Sequence, residues 1–138
     1  VPRKQYSEKK EPPRGQGETI LLVDDESSFL ETTSRLLAGS NYRVITASNG
    51  KDALELYEKH REEIRLVILD LLMPGMGGEE CLPVLLRMDS NSRVLMVSGY
   101  HEEGMARKLK DAGARDFILK PFDMPQLLEK IRKIIDEE

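Results

Sequence analysis

The chain has 138 residues, of which 39% are hydrophobic and 33% are charged, and its net charge at pH 7 is −4. This length predicts one domain, and this composition predicts a soluble globular protein and excludes a disordered one. No apolar run approaches the ~20 residues that span a bilayer, no signal-peptide pattern is present, and a single cysteine, Cys81, excludes an internal disulfide. We therefore expect a cytoplasmic domain without membrane contact, even if a parent protein is bound to a membrane.

Residues 1–17 differ in composition from the rest of the chain. They lack hydrophobic periodicity and carry three prolines and two glycines among five basic and two acidic side chains, which gives this segment a charge of +3 and leaves −7 for the remainder. The segment is predicted to be a flexible linker or tail, followed by a domain over residues 18–138. So acidic a domain argues against nucleic-acid binding, which requires a basic surface.

From residue 18 onward, five short apolar runs alternate with stretches of helical periodicity. The predicted strands are Ile20–Val23, Arg43–Ala47, Leu66–Leu69, Val94–Val97 and Phe117–Leu119. The first helix carries an apolar face from Phe29 to Leu37 and should stop at Gly39, and the second should be capped by Asn49. The third should kink or start late because it contains Pro83, and the fourth lies near Glu102–Asp111.

The fifth helix should begin after a cap at Asp123 and carries a clean apolar stripe over Leu127–Ile135. Five strands alternating with five helices predict a three-layer, doubly wound α/β fold with a parallel sheet. In such sheets, ligands bind outside the carboxyl ends of the strands.

Polar residues stand at four of the predicted strand ends. They are Asp24, Asp25, Asp70, Ser98 and Lys120. Three carboxylates brought together repel one another, and a hard divalent cation and the lysine would both relieve that repulsion. Because the sequence has no Cys/His cluster, Mg²⁺ suits the site better than zinc.

This set of residues suits phosphoryl chemistry. An aspartate carboxylate can act as a nucleophile and form an aspartyl phosphate, and Asp70 is the candidate. The three equatorial oxygens of the transferred group need compensating charge. The cation can neutralise one, Lys120 a second, and the Ser98 hydroxyl with nearby backbone N–H groups a third.

Four segments resemble the motifs of one known family, the response regulator receiver (CheY-like) domains. They are Asp24-Asp25-Glu26, Asp70-Leu71-Leu72-Met73-Pro74-Gly75, Ser98-Gly99 and Lys120-Pro121-Phe122, and they occur in the family's order within about Thr19 to Ile135. The resemblance implies a flavodoxin-like (βα)5 fold with strand order 2-1-3-4-5.

The resemblance also implies roles for the acidic residues. Asp70 would accept the phosphoryl group. Asp25, Asp70 and the backbone carbonyl of Leu72 would bind Mg²⁺ (or Mn²⁺) directly, and Asp24 would act through a coordinated water. The domain would catalyse its own phosphorylation and dephosphorylation.

Three further residues have roles by the same resemblance. Ser98 would bind the phosphoryl group and signal its presence, together with Phe117, which matches the family's aromatic switch position. Lys120 would pair with the phosphoryl group, and the Lys120–Pro121 bond would be cis. His60 and His101 have no place in this scheme, and we expect them to be ordinary solvated side chains.

Two positions close to the predicted phosphoacceptor site carry large side chains, and at the first of them many relatives of the family carry a polar residue. Leu72, two residues after the phosphoacceptor, is apolar, and Tyr100, two residues after Ser98, is bulky. In the family these positions influence the rate of hydrolysis. We expect Leu72 and Tyr100 to obstruct an in-line water and to slow self-dephosphorylation.

The predicted function is a phosphorylation-dependent signalling switch. Its partner would be a histidine kinase or a histidine phosphotransfer domain. The resemblance implies that helix 4, strand 5 and helix 5 form the readout face. It also allows a homodimer through this face. A preceding tail and a final fifth helix resemble the C-terminal receiver of a hybrid sensor histidine kinase. The chain begins with Val rather than Met, which agrees with a partial chain.

Three alternatives stay open. One is a stand-alone single-domain response regulator. Another is a phosphohydrolase with an Asp nucleophile, although such enzymes usually carry Asp-x-Asp on one loop. The third is a flavin or dinucleotide binder, which would need a glycine-rich turn where Asp24-Asp25-Glu26-Ser27 follows the first strand.

Overall fold

The computed structural model describes residues 11–137, in which strands and helices alternate along the chain. The strands are β1 (Thr19–Val23), β2 (Arg43–Ala47), β3 (Ile64–Asp70), β4 (Val94–Ser98) and β5 (Asp116–Leu119). The helices are α1 (Ser27–Gly39), α2 (Gly50–Lys59), α3 (Gly78–Met88), α4 (Met105–Asp111) and α5 (Met124–Asp136). None of the helices within this range is long and apolar enough to cross a membrane.

The five strands form one parallel sheet in the order β2-β1-β3-β4-β5, which confirms the predicted fold class. Alternate residues of β1 enter two different cores: Leu21 and Val23 face one side, and Ile20 and Leu22 face the other. Helices α2, α3 and α4 cover the first core, and α1 and α5 cover the second. Both faces of the sheet are therefore buried, which explains why its strands are continuous apolar runs.

Strand β3 is longer than predicted. It begins at Ile64, two residues before the predicted start. The β1–β3 register shifts between Thr19, which pairs with Ile64, and Ile20, which pairs with Leu66. Arg65 is thereby left as an extra residue, and it is exposed. A charged residue at this bulge interrupts the apolar run, so the sequence pattern placed the strand start at Leu66.

Three predicted helix ends are confirmed. The side-chain oxygens of Asn49 and Asp123 accept hydrogen bonds from the backbone N–H three residues later, at 2.8 and 2.9 Å. Helix α1 ends at Gly39, although the residue in the left-handed conformation is Asn41, with φ of 70°.

Of the two alternatives for the third helix, the late start is wrong and the kink stays a prediction, and the fourth helix begins three residues later than expected. Helix α3 begins at Gly78, five residues before Pro83, so the proline lies inside the helix. Pro83 has no N–H to donate to the carbonyl of Glu79, but both residues are exposed, and water can hydrate that carbonyl. Helix α4 begins at Met105 and not near Glu102, because Gly104 precedes it in the left-handed conformation, with φ of 80°.

The predicted linker or tail, residues 1–17, is described by the structure only from residue 11 onward, and its flexibility stays a prediction. Residues 14–17 are not detached from the domain but follow the turn between α1 and β2. The Gly15 N–H donates to the Ser40 carbonyl at 2.7 Å, and the Gly17 N–H donates to the Asn41 carbonyl at 2.9 Å. The Asn41 side chain donates in return to the Gly15 carbonyl at 2.8 Å.

Gly15 is buried in this contact, against the ring of Tyr42. A Cβ at Gly15 would lie 2.6 Å from the Tyr42 ring and 2.7 Å from the Asn41 carbonyl oxygen, so the backbone approaches this closely only because the residue is glycine. A Pro/Gly-rich composition predicts flexibility, but here one of its glycines permits docking. We call residues 14–17 the N-terminal strap.

Candidate functional site

Three carboxylates meet at the carboxyl edge of the sheet. Asp70 is the last residue of β3, and Asp24 and Asp25 follow its neighbour β1, so parallel pairing alone brings them together. One oxygen from each of the three lies within 4.8 Å of the other two. Asp24 is 1% exposed and Asp70 7% exposed, whereas Asp25 is open to solvent.

This crowding changes the acidity of Asp70. Burial, followed by the negative charge of Asp24, raises the pKa of the Asp70 carboxyl from 3.8 to about 6. Lys120 opposes the shift and Asp25 adds to it. Asp70 thus lacks enough positive charge from its protein neighbours, and a divalent cation would supply it. An all-oxygen donor set of three carboxylates fits Mg²⁺ or Mn²⁺.

Lys120 reaches the cluster from the end of β5. Its ammonium nitrogen lies 2.6 Å from Asp24 Oδ2 and 4.0 Å from Glu26 Oε1. Its partner is therefore Asp24 and not the predicted phosphoacceptor. The Lys120–Pro121 peptide bond is cis, as the family resemblance implied.

Ser98 lies at the end of β4, the other neighbour of β3, and is 1% exposed. Its hydroxyl oxygen accepts a hydrogen bond from the Tyr100 N–H at 2.9 Å. That bond leaves the hydroxyl hydrogen available to an acceptor at the carboxyl edge. A hydroxyl group can donate a hydrogen bond to a phosphoryl oxygen, so the residue type suits the predicted role. That role of Ser98 stays a prediction.

Two side chains at this edge are unusually exposed for their size. Leu72 is 61% exposed and Tyr100 is 50% exposed. The backbone N–H of Leu72 lowers the pKa of the Asp70 carboxyl slightly, against the larger effect of burial. Both residues belong to the carboxyl edge of the sheet, and their predicted effect on the rate of hydrolysis stays a prediction.

Phe117, the predicted switch residue, occupies the second position of β5 and is partly buried against the core beneath α4. Its ring centroid lies 6.5 Å from that of His101. His101 is exposed, as expected of a solvated side chain. Phe117 can pack in this way with or without a switching role, so the role stays a prediction.

Gly78 determines how closely α3 approaches the site. A Cβ at this residue would overlap the carbonyl oxygen of Asp70 and would lie 2.9 Å from the Cα of Leu71. The Gly78 N–H also donates to the Leu71 carbonyl at 2.9 Å. The absence of a side chain at Gly78 therefore lets α3 support the loop that follows Asp70.

The sequence analysis missed one side chain of the site, Phe29, which it placed only on the apolar face of the first helix. The ring lies 4.1 Å from the Lys120 ammonium, measured to the ring centroid. The sequence does carry a signal for this position. Phe29 lies in the first turn of α1, four residues after Asp25, and helix side chains point toward the N-terminus. Such a side chain faces the strand ends.

Comparison with known proteins gives one family. A family model described as "Response regulator receiver domain" matches residues 20–132. The chemotaxis protein CheY of Treponema pallidum is 32% identical over 124 residues, which cover 89% of this chain and 86% of that protein. The sporulation initiation phosphotransferase F of Bacillus subtilis is 33% identical over 118 residues, 86% of this chain and 94% of the relative.

A much longer relative also matches. The sensor kinase CckA of Brucella abortus is 32% identical over 120 residues, which cover 87% of this chain but only 13% of the kinase. Similar stretches therefore occur both as nearly whole small proteins and as one part of a large kinase.

Solved structures agree with the fold. CheY in the CheX-CheY-BeF3-Mg complex of Borrelia burgdorferi superposes with a TM-score of 0.83 at 30% identity, covering 87% of this chain and 90% of that one. The Thermotoga maritima response regulator TrrA, in complex with Mg²⁺ and a beryllium fluoride, gives 0.76 at 29% identity, covering 85% and 98%.

Proposed function

The chain belongs to the response regulator receiver family, and on that premise we propose that Asp70 takes a phosphoryl group from a phosphohistidine of a partner protein. The observation that carries the proposal is the cluster of three carboxylates and one lysine at the carboxyl edge of the sheet. A receiver domain of two-component signalling needs such a site, and residues 11–137 show no second carboxylate group of this kind.

The proposed transfer is a displacement at phosphorus. An Asp70 carboxylate oxygen forms the new O–P bond while the N–P bond of the phosphohistidine breaks, and the departing histidine nitrogen keeps the electron pair. The nucleophile must be the charged carboxylate. Lys120, which lowers the pKa of Asp70, favours that form.

Asp25, Asp70 and the Leu72 carbonyl would hold Mg²⁺ (or Mn²⁺), and Asp24 would hold it through water. When bound, the ion neutralises charge on the carboxylates and on the phosphoryl oxygens. Lys120, already beside Asp24, would then pair with the phosphoryl group, and the Ser98 hydroxyl would donate to it. The buried carboxylates thereby gain the positive charge that the protein alone lacks.

Phosphorylation would shift a two-state equilibrium through Ser98 and Phe117. The proposed readout face consists of α4, β5 and α5, which would also form a homodimer. The proposed partner is a histidine kinase or a histidine phosphotransfer domain. Such couplings are typically ~1–3 kcal/mol. A cytoplasmic location also stays a prediction.

We further infer that the chain is the receiver of a hybrid histidine kinase. The match to one part of a sensor kinase supports this context. The matches to small CheY proteins over most of their length support the alternative, a stand-alone regulator. An ATP-binding kinase domain encoded directly upstream would support the hybrid context, and a start codon close to residue 18 would contradict it.

The phosphoacceptor role is tested by incubating the protein with Mg²⁺ and acetyl phosphate and measuring intact mass. Wild type should gain one phosphoryl group, and Asp70→Asn should gain none, because the amide cannot act as the nucleophile. Asp111→Asn, an exposed aspartate at the end of α4, is the matched control and should label like wild type. Undiminished labelling of Asp70→Asn would reject the proposal.

Leu72→Asn should shorten the lifetime of the aspartyl phosphate. Leu72 lies two residues after Asp70 and its apolar side chain is exposed, so we expect it to hinder an in-line water, whereas asparagine can hydrogen-bond one. We expect at least about a threefold faster loss of label after the donor is removed, which corresponds to ~0.7 kcal/mol in barrier height. Leu36→Asn, at a leucine of α1 that is 45% exposed, is the control and should not change the lifetime. A wild-type lifetime equal to or shorter than that of Leu72→Asn would reject this explanation.

A further inference from the structure

Lys120 has an aromatic neighbour as well as acidic ones. Its ammonium lies 4.1 Å from the centroid of the Phe29 ring, on the ring face, while the same nitrogen contacts Asp24 Oδ2 at 2.6 Å. The Lys120 side chain is only 19% exposed. A cation at this distance from a ring face is attracted by the ring quadrupole, and the attraction grows when water is excluded.

The Phe29 ring is itself held in place. Phe122 packs edge to face against it, with ring centroids 6.0 Å apart and an interplanar angle of 88°. Phe29 belongs to the first turn of α1, and Phe122 follows Lys120 by two residues. The aromatic pair therefore joins the helix behind the acidic pair to the loop that carries the lysine.

The three neighbours of the Lys120 ammonium differ in whether their attraction depends on the metal and the phosphoryl group. Asp24 and Glu26 attract it by charge, and in the proposed function Asp24 also serves the metal. The attraction of the Phe29 ring does not depend on whether a metal or a phosphoryl group is present. When Lys120 turns from Asp24 toward a phosphoryl group, the Phe29 ring would therefore remain a constant neighbour of its ammonium.

We propose that Phe29 is a positioning residue, whose ring face holds the Lys120 ammonium at the acidic cluster for phosphoryl transfer. The inference rests on the proposed function, since it assigns Phe29 a part in the same reaction. A packing role alone would depend on the size of the ring and not on its electrons. The two roles can therefore be separated by changing the electrons and keeping the size.

The test replaces Phe29 with 4-fluoro-, 3,5-difluoro- and 3,4,5-trifluorophenylalanine, which weaken the quadrupole with little change in shape. The rate of labelling by acetyl phosphate with Mg²⁺ should fall progressively with fluorine number, to about 3- to 10-fold below wild type for the trifluoro ring. The thermal midpoint should stay within ~2 °C of wild type. Phe29→Tyr, which keeps the ring face, should label within about twofold of wild type, and Phe29→Leu should be as slow as the trifluoro variant.

The outcomes separate this inference from the proposed function. If wild type labels and the trifluoro variant labels at the same rate, Phe29 has no positioning role, although Asp70 remains the acceptor. If Phe29→Leu labels as fast as Phe29→Tyr, the role is likewise rejected. A wild type that takes no label overturns the proposed function and the role of Phe29 with it.

Discussion

Asp70→Asn is expected to stabilise the metal-free protein at pH 7.5. The folded-state pKa of Asp70 is raised from 3.8 to about 6, so between these values the folded protein binds a proton that the unfolded chain has lost. Asp70 therefore lowers the free energy of unfolding progressively as the pH rises from about 4, and its full cost applies above about pH 6. At ~1.4 kcal/mol per pKa unit, that cost is at most ~3 kcal/mol.

Thermal or urea unfolding from pH 4 to 8 measures this effect. The difference in free energy of unfolding between Asp70→Asn and wild type should be small at pH 4 and largest above pH 7, and titrating groups that do not interact with Asp70 cancel in this difference. Mg²⁺ should stabilise wild type at pH 7.5 and Asp70→Asn much less, because the ion compensates the charge that the substitution removes. Asp111→Asn should change the free energy of unfolding by less than ~0.5 kcal/mol throughout this pH range. Equal stability of Asp70→Asn and wild type at pH 7.5 would contradict the explanation.

Gly78→Ala should be the most destabilising of the small substitutions near the site. The new Cβ would overlap the Asp70 carbonyl and press on the Leu71 backbone, neither of which can rotate away as a side chain can. We expect a loss of ~2–4 kcal/mol in the free energy of unfolding. We also expect weaker labelling by acetyl phosphate in the folded variant, because the backbone at Asp70 must shift.

Gly39→Ala provides the matched control. Gly39 is also a helical glycine, but a Cβ there meets nothing within 4 Å. Alanine at that position should be neutral or stabilising by up to ~1 kcal/mol, because it restricts the unfolded chain. Urea unfolding of both variants makes the comparison, and a Gly78→Ala protein as stable as Gly39→Ala would show that α3 can retreat from the site.

Local sequence signals predicted the fold because each one has a short-range physical cause. The apolar strands follow from burial on both faces of the sheet, and the caps Asn49 and Asp123 follow from hydrogen bonds only three residues long. The meeting of Asp24 with Asp70 could be predicted for the same reason, since parallel strands align their carboxyl ends.

The features that sequence analysis missed depend on contacts between distant segments. The bulge at Arg65 and the docking of Gly15 on Tyr42 leave no periodic trace in the sequence. The sequence predicted that Lys120 joins the carboxylates, but the choice of Asp24 as its direct partner and its position over the Phe29 ring join elements far apart in the chain. Such contacts need the three-dimensional arrangement.

The N-terminal strap has a consequence for phosphotransfer. It attaches at the turn before β2, where the parallel strands begin, whereas Asp70 lies where they end. A five-residue strand is ~17 Å long, so the tether and the acceptor lie at opposite poles of the domain. A histidine domain covalently joined before Arg14 would therefore need a linker long enough to carry its phosphohistidine along the length of the sheet to reach Asp70.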